Sequence, residues 1–230
     1  MAETRSIKVY QLGTTGYRET HALQQRLQLQ RREGGGEDSL LLTEHRPVIT
    51  LGRGHPEPDL RVGADVVATY GIDIVPTERG GDITYHGPGQ LVAYGIIDLK
   101  GWNLSVLDYV TGLEETVIRV LADWGVHGER VASARGVWVG GRKIASVGIN
   151  VRRWVTMHGI ALNVEPDMSH FDLINPCGME DVEMTSLSHE MGKQVSISDV
   201  AEYFTFHFGS TFDCDVLAVD MEAKRSKAGR

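Results

Sequence analysis

The sequence lacks the features that mark several large classes of protein. No apolar run approaches the ~20 residues that a membrane-spanning helix needs, and residues 1–5 contain no apolar signal core. Only two of the 230 residues are cysteine, which excludes a disulfide-based scaffold. These absences predict a cytoplasmic protein with no membrane partner, in which Cys177 and Cys214 are free thiols.

Motifs for nucleotide binding, metal binding and serine hydrolysis are also missing. The chain contains no GxxxxGK[ST] loop, no GxGxxG fingerprint and no GxSxG elbow, and its nine histidines form no HExxH motif. No CxxC pair is present either. The net charge of −8 disfavours a nucleic-acid partner, because phosphate binding needs clustered Lys and Arg. We therefore expect no metal site, no cofactor and no bound nucleic acid.

Length and hydrophobic pattern predict one α+β domain. A hydrophobic fraction of 41% over 230 residues is typical of a single globular core. Apolar residues recur at steps of three and four over residues 104–124, which predicts a helix, and Thr15 is the predicted cap of an earlier helix. The Gly140–Gly141 pair lies between two extended runs and predicts a hairpin. We expect the domain to cover residues 1–220 and the polar tail, residues 221–230, to be disordered.

The segment at residues 79–90 has the richest chemistry of the chain. Its sequence, RGGDITYHGPGQ, combines four glycines and a proline with a cation, a phenol and an imidazole. Glycines let a main chain approach a ligand closely. The segment therefore predicts a pocket loop held between two strands, and the alternative is a glycine-rich hairpin loop without a ligand.

Cys177 is the candidate nucleophile. It lies between Pro176 and Gly178, which predicts a bend that displays its side chain. Cys214 is flanked by carboxylates that raise a thiol pKa, so it is the poorer nucleophile. The alternative for Cys177 is the role of a small buried hydrophobic residue, which most unpaired cysteines have.

Lys143 is the candidate partner of that thiol. Strand alternation predicts that it shares an apolar face with Ala145, Val147, Ile149 and Val151. A buried ammonium needs a partner, and a thiolate is such a partner, so the two residues suit a nucleophile–base pair. The alternative is a lysine at a strand end that extends its ammonium to water.

Taken in order, four segments resemble the lipoyl(octanoyl) transferase family, octanoyl-[acyl carrier protein]:protein N-octanoyltransferase. They are residues 79–90, residues 141–149 (GRKIASVGI), residues 157–163 (MHGIALN) and residues 175–178 (NPCG). This family is similar in fold to biotin and lipoate protein ligases. The resemblance therefore implies a single α+β domain in which helices pack on a mixed, curved sheet.

The resemblance also implies an acyltransferase chemistry and its residues. Cys177 is expected to carry the acyl group as a thioester, and Lys143 is expected to lower the pKa of that thiol. The acyl pocket is expected to be lined by Arg79, Gly80, Gly81, Asp82, Ile83, Thr84, Tyr85, His86, Ser146, Val147, Gly148, Gly159, Ile160 and Ala161.

The partners implied by the resemblance are proteins of lipoate biosynthesis. The expected acyl donor is octanoyl-acyl carrier protein, and the expected acceptors are lysines on the lipoyl domains of 2-oxoacid dehydrogenase complexes and on the glycine cleavage H protein. A monomer that uses no cofactor is expected to carry out the transfer. Because these partners are anionic in this family, we predict a basic patch at Arg142, Arg152 and Arg153, with an ordinary solvated turn as the alternative.

Two other functions stay open at this point. An ATP-dependent lipoate protein ligase of similar fold activates the free acid and has no need of Cys177, so a requirement for ATP identifies it. In a non-catalytic acyl-binding module, Lys143 and Cys177 are merely packed, and the protein forms no acyl adduct.

Overall fold

A computed structural model describes residues 5–54, 59–132, 134–176 and 182–219. The strands are β1 (Arg5–Thr15), β2 (Ser39–His45), β3 (Val48–Leu51), β4 (Asp73–Pro76), β5 (Ile83–His86), β6 (Gln90–Ile96), β7 (Glu129–Val131), β8 (Ala134–Val139), β9 (Arg142–Arg152), β10 (Val155–Asn163) and β11 (Cys214–Ala218). The helices are α1 (Tyr17–Arg32), α2 (Ala64–Thr69), α3 (Val106–Asp123), α4 (Leu187–Met191) and α5 (Ile197–Phe212), with a 3-10 helix at Met168–Leu173.

The strands form two sheets. Eight of them make a mixed sheet in the order β11-β1-β2-β6-β10-β9-β8-β7, and β4-β3-β5 make a small second sheet. Strand β1 pairs in parallel with β11 and β2, whereas every pair from β2 to β7 along the large sheet is antiparallel. This mixed architecture confirms the predicted α+β class. The predicted disordered tail, residues 221–230, lies outside the described residues.

Helices cover both faces of the large sheet. The main core joins α3 and α5 to one face, through residues such as Leu113 and Phe204 that are at most 1% exposed. On the other face α1 packs Leu23 and Leu27 against β6 and β10. The predicted helix over residues 104–124 is confirmed as α3, which begins in a capping box between Ser105 and Asp108.

Two local predictions need correction. Thr15 does not cap the first helix, because it is the last residue of β1 and its hydroxyl lies 2.8 Å from the Thr43 hydroxyl on β2. The N-cap of α1 is Gly16, which makes no side-chain cap bond. The glycine-rich segment is also not entirely a loop, since residues 83–86 within it form β5 and pair with β3. The predicted hairpin at Gly140–Gly141 is confirmed between β8 and β9.

Within the described ranges, no helix is both long and apolar enough to cross a lipid bilayer.

Candidate active site

A cavity of about 260 Å³ lies where β5, β6, β9 and β10 meet the start of α1. Its walls include the apolar side chains of Ile83, Val92, Val147 and Ile160. An apolar cavity of ~150 Å³ is enough to hold a benzene ring. The larger cavity seen here therefore has room for an alkyl chain of medium length.

The fold brings most of the predicted pocket residues together at this cavity. All of them line it except Gly80 and Tyr85, and Lys143 lines it as well. Tyr85 is buried in a separate core cluster, where its hydroxyl lies 2.8 Å from His170 Nδ1. Gly80 borders an adjoining groove and donates its N–H to the Ile149 carbonyl at 2.8 Å.

Several lining residues were not predicted from the sequence. They are Tyr17, Val92, Tyr94, Ala134, Arg135 and His158. Alternation along β6 could have paired Val92 with Tyr94, because residues two apart in a strand point to the same face. No sequence signal links Tyr17, at the start of a helix, to a cavity between strands.

Arg79 anchors the glycine-rich segment to the small sheet. It is only 8% exposed, and its guanidinium donates hydrogen bonds to the carbonyl and the hydroxyl of Thr50 on β3, at 2.7 and 2.9 Å. On its other side, the segment lies against β9. A Cβ added at Gly148 would lie 2.8 Å from the Gly80 carbonyl oxygen, so this close approach of two main chains requires glycine. The segment is therefore a rigid wall of the cavity.

Lys143 is a buried cation at the start of β9. Its side chain is 2% exposed, and its ammonium lies 5.4 Å from the centre of the Trp138 ring, within the range of a cation–π interaction. Its main chain donates to the Glu183 carbonyl at 2.8 Å and accepts from the Thr185 N–H at 2.9 Å. These bonds fix the lysine at the cavity wall and bring residues 183–185 alongside it.

A β-bulge changes which residues share a face with Lys143. Val137 on β8 pairs with Ala145 on β9, but the next residue of β8, Trp138, pairs with Lys143. Strand β9 therefore has one extra residue at this point of the ladder. Alternation along β9 predicts that Ala145 faces the same way as Lys143. Ala145 instead belongs to the main core, whereas Ser146 lines the cavity with Lys143.

Gly136 provides the space that Lys143 occupies. Its φ is +118°, and a Cβ there would lie 2.7 Å from Lys143 Cε and 2.3 Å from the Ala145 carbonyl oxygen. Its N–H donates at 2.9 Å to Glu114, a carboxylate on α3 that is 1% exposed. Glu114 therefore holds Gly136 in place, and Gly136 in turn limits where the lysine side chain can lie.

We expect Gly136→Ala to destabilise the fold by ~1–3 kcal/mol, through overpacking and backbone strain. Gly141→Ala is the matched control, because Gly141 also has a positive φ, +82°, but nothing lies within 4 Å of its Cβ position. Urea unfolding of the two variants tests the prediction. Equal losses in both variants would show that backbone strain alone matters and that crowding of Lys143 does not.

A chain of hydrogen bonds joins the cavity to residues 183–185, which lie beside Lys143. His86 Nδ1 lies 2.6 Å from Gln90 Oε1, the Gln90 amide donates to Asn163 at 2.8 Å, and Asn163 donates to the Thr185 carbonyl at 3.0 Å. All four residues are buried. A satisfied buried network of this kind holds its members in one arrangement.

His86, which lines the cavity, and His45, whose ring centre lies 5.9 Å from that of His86, are both buried imidazoles. Burial lowers the pKa of His45 to about 4. Burial, followed by the neighbouring His45, lowers the pKa of His86 to about 3. An unfolded chain protonates histidine near pH ~6.5, so between that pH and about 4 the unfolded state binds more protons than the folded state. Stability is therefore lost as the pH falls through this window.

We expect the free energy of unfolding to fall by several kcal/mol between pH 7 and pH 4 as a result. His45→Gln should reduce the steepness of this fall. Urea unfolding across the pH range measures it. A profile for His45→Gln as steep as that of the unsubstituted protein would contradict the assignment.

The structure describes only one of the two cysteines, Cys214. Cys177 lies outside the described residues. Cys214 is free and half-buried in β11, and burial first, then the neighbouring Asp215 and Asp213, raises the pKa of its thiol to about 11. Its predicted weakness as a nucleophile therefore has burial as the main cause and the adjacent carboxylates as a smaller one.

The predicted basic patch is not one patch. Arg142 and Arg152 are the two ends of β9, ten residues apart in an extended strand, which separates them by roughly 30 Å. Arg142 is also paired with both oxygens of Glu190, at 2.8 and 2.9 Å. Arg152 and Arg153 are exposed at the β9–β10 turn. The separation along the strand shows that the prediction of one cluster is wrong.

Comparison with known proteins identifies the family. The sequence model of one protein family, the lipoyl protein ligase A/B catalytic domain, matches residues 16–209 of this chain. The matched range includes β9 and every residue of the cavity wall. The chain belongs to the lipoyl protein ligase A/B family. An octanoyltransferase of Solibacter usitatus is 46% identical, over 93% of this chain and 96% of that protein. The predicted membership of the lipoyl(octanoyl) transferases is thereby confirmed.

Solved structures in the family share the fold. A putative lipoate protein ligase of Thermoplasma acidophilum with bound lipoic acid superposes with a TM-score of 0.71 and 17% identity, covering 97% of this chain and 93% of that chain. A bipartite lipoate protein ligase of the same organism, described with its E2 lipoyl domain, gives a TM-score of 0.70 and 15% identity, covering 99% and 92%. At this level of identity the comparison supports the fold, and it confirms the predicted lipoate-ligase-like architecture.

Proposed function

We propose that the protein transfers an octanoyl group from octanoyl-acyl carrier protein to lysine ε-amines on lipoyl domains, through a thioester on Cys177. Its similarity to octanoyltransferases over nearly its whole length supports the acyl group and the reaction. The lipoyl domain described with the Thermoplasma ligase supports the class of acceptor. The observation that carries the proposal is the buried ammonium of Lys143 in the wall of an apolar cavity.

The cavity suits the acyl chain. Each methylene buried in an apolar wall contributes ~0.8 kcal/mol to binding, so an octanoyl chain gains several kcal/mol from the side chains around it. Ile83, Val147 and Ile160 supply such walls, and the small side chain of Ala161 leaves the space between them open. The close approach of Gly148 to the Gly80 carbonyl and the hydrogen bond from the Gly80 N–H to the Ile149 carbonyl keep this shape before the acyl group arrives.

Lys143 is suited to stabilise the Cys177 thiolate. A cation beside a cysteine favours the reactive thiolate form of that cysteine. Chain connectivity supports this pairing. Cys177 directly follows Pro176 and precedes Glu183 by six residues, and Glu183 accepts a hydrogen bond from the Lys143 N–H.

The transfer has two steps that balance without ATP. The Cys177 thiolate attacks the thioester carbonyl, the carbonyl–sulfur bond to the carrier breaks, and the carrier leaves as a thiolate that takes a proton from the Lys143 ammonium. A lipoyl-domain amine then attacks the enzyme thioester. Its surplus proton passes to Lys143, the amide bond forms, and the Cys177 thiolate is released. Thioester exchange conserves the activated bond, so no phosphate-activated intermediate is needed.

Intact-mass analysis tests the proposal. After incubation with octanoyl-acyl carrier protein alone, we expect the protein to gain the mass of one octanoyl group, and a lipoyl domain added afterwards should remove it. Cys177→Ala should abolish the adduct, whereas the matched Cys214→Ala should form it normally. An unmodified wild-type protein would instead indicate an acyl-binding module.

The same experiment separates the transferase from a ligase. Transfer from the carrier protein should proceed without ATP, and free octanoate with ATP should not modify the lipoyl domain. Modification that depends on ATP and survives Cys177→Ala would overturn the proposal in favour of a lipoate ligase.

A further inference from the structure

Two histidines and a glutamate meet at one edge of the cavity. His21 on α1, Glu78 before the glycine-rich segment and His158 on β10 place one ligand atom each within 4.8 Å of one another. These residues are far apart in the sequence, so the motif spacing from which we predicted no metal site could not reveal the cluster. His158 also lines the cavity, whereas the two transfer steps proposed above give no role to His21 or Glu78.

The distances suit a small transition-metal ion. His21 Nε2 lies 2.8 Å and His158 Nε2 lies 3.9 Å from the same oxygen of Glu78. Ligands at ~2.1 Å from a tetrahedral zinc ion are about 3.4 Å apart, so the two observed distances bracket the value required. Shifts of well under 1 Å in the side chains bring these two pairs to zinc geometry.

The surroundings hold the three donors in place. His158 is 1% exposed and has a left-handed backbone, with φ +62°, which a residue with a side chain adopts at a cost and which is concentrated at functional sites. Its ring stacks on that of His21, with centres 5.6 Å apart. The Thr77 hydroxyl lies 3.4 Å from both His158 Nε2 and Glu78 Oε2.

The cluster is also reachable from solvent. The side chains of His21 and Glu78 are 19% and 21% exposed, whereas that of His158 is 2% exposed. An ion can therefore enter from the side of α1 while the buried imidazole forms the far wall. Two imidazoles and one carboxylate are the donor set of many zinc sites with an open coordination position, and imidazole disfavours Mg²⁺ and Ca²⁺.

We propose that His21, Glu78 and His158 form a binding site for a divalent transition metal of the zinc type. Because His158 also lines the cavity, the bound ion stiffens the cavity wall from behind. Water or the Thr77 hydroxyl completes the coordination.

Zinc binding to untagged protein tests this site by competition with a chromogenic chelator. The background is Cys177→Ser with Cys214→Ser, which removes both thiols of the chain. We expect one Zn²⁺ per chain and a loss of affinity of at least tenfold in His21→Gln. The matched control is His207→Phe, which removes a histidine that pairs with Asp123 outside the cluster, and this variant should bind zinc normally.

Two further readouts keep the test decisive. Glu78→Gln should weaken binding as His21→Gln does, and zinc should raise the melting temperature of the control but of neither cluster variant. Co²⁺ should give visible absorption bands that His21→Gln removes. Equal zinc affinity with and without His21, or no saturable binding at one ion per chain, would overturn the proposal.

Discussion

Lys143→Met is expected to slow octanoyl transfer by ~10²–10⁴-fold, the range that a positioned proton-transfer group contributes. Methionine has nearly the length of lysine and suits the buried position, which is 2% exposed and packed against Trp138. The substitution therefore removes the charge and leaves the shape. In the proposed mechanism, loss of the ammonium deprives the Cys177 thiolate of its stabilising partner and the leaving thiolate of the carrier of its proton donor.

Alkylation of Cys177 by iodoacetamide measures the first of these effects directly. Its rate near neutral pH should fall in Lys143→Met, and the pH at which alkylation becomes rapid should rise. The exposed Lys100 provides a matched control, since Lys100→Met removes the same charge from the surface and should change neither rate. Normal alkylation in Lys143→Met would mean that the two residues are not coupled.

Ala161→Leu is expected to shift the preferred acyl group to shorter chains. Ala161 is 4% exposed and lines a cavity of about 260 Å³, and leucine adds three carbon atoms to that space. An octanoyl chain should lose the burial of about three methylenes, at ~0.8 kcal/mol each. That loss of about 2.4 kcal/mol corresponds to a fall of ~50-fold in kcat/KM.

Shorter acyl groups give this experiment its internal control. Transfer of a butanoyl group from the same carrier protein should be nearly unchanged, because that chain leaves the added side chain room. A ratio of octanoyl to butanoyl transfer equal to that of the unsubstituted protein would show that the acyl chain does not occupy this cavity. Equal loss of both activities would indicate a folding defect, which thermal unfolding of the variant detects.

Local sequence patterns predicted the regular elements well where one interaction dominates. The apolar repeat over residues 104–124 gave α3 because a stripe of buried side chains is enough to define a helix. The Gly140–Gly141 pair gave the β8–β9 hairpin because both residues have a positive φ, +54° and +82°. The cap at Thr15 failed because Thr15 ends β1, where its hydroxyl bonds to the hydroxyls of Thr43 on β2 and Thr20 on α1, and Gly16 takes the cap position.

The pattern along β9 failed for a different reason. Alternation assumes an unbroken strand, and the bulge between Lys143 and Ala145 depends on the register of β8, which the β9 sequence does not contain. Likewise, Gly136 on β8 leaves the space that the Lys143 side chain fills, and Glu114 on α3 accepts the hydrogen bond that holds Gly136 in place. Their role is visible only when the three elements are packed together.

The sequence by itself determined the glycine-rich segment and the family, because short motifs of neighbouring residues carry both, and it supplied Cys177 and Lys143 as the candidate reactive residues. Only the tertiary structure decided which side chains share the cavity and which histidines meet Glu78. Such contacts join residues as distant as His21 and His158. Their geometry comes from strand pairing and helix packing, which local patterns constrain but do not specify.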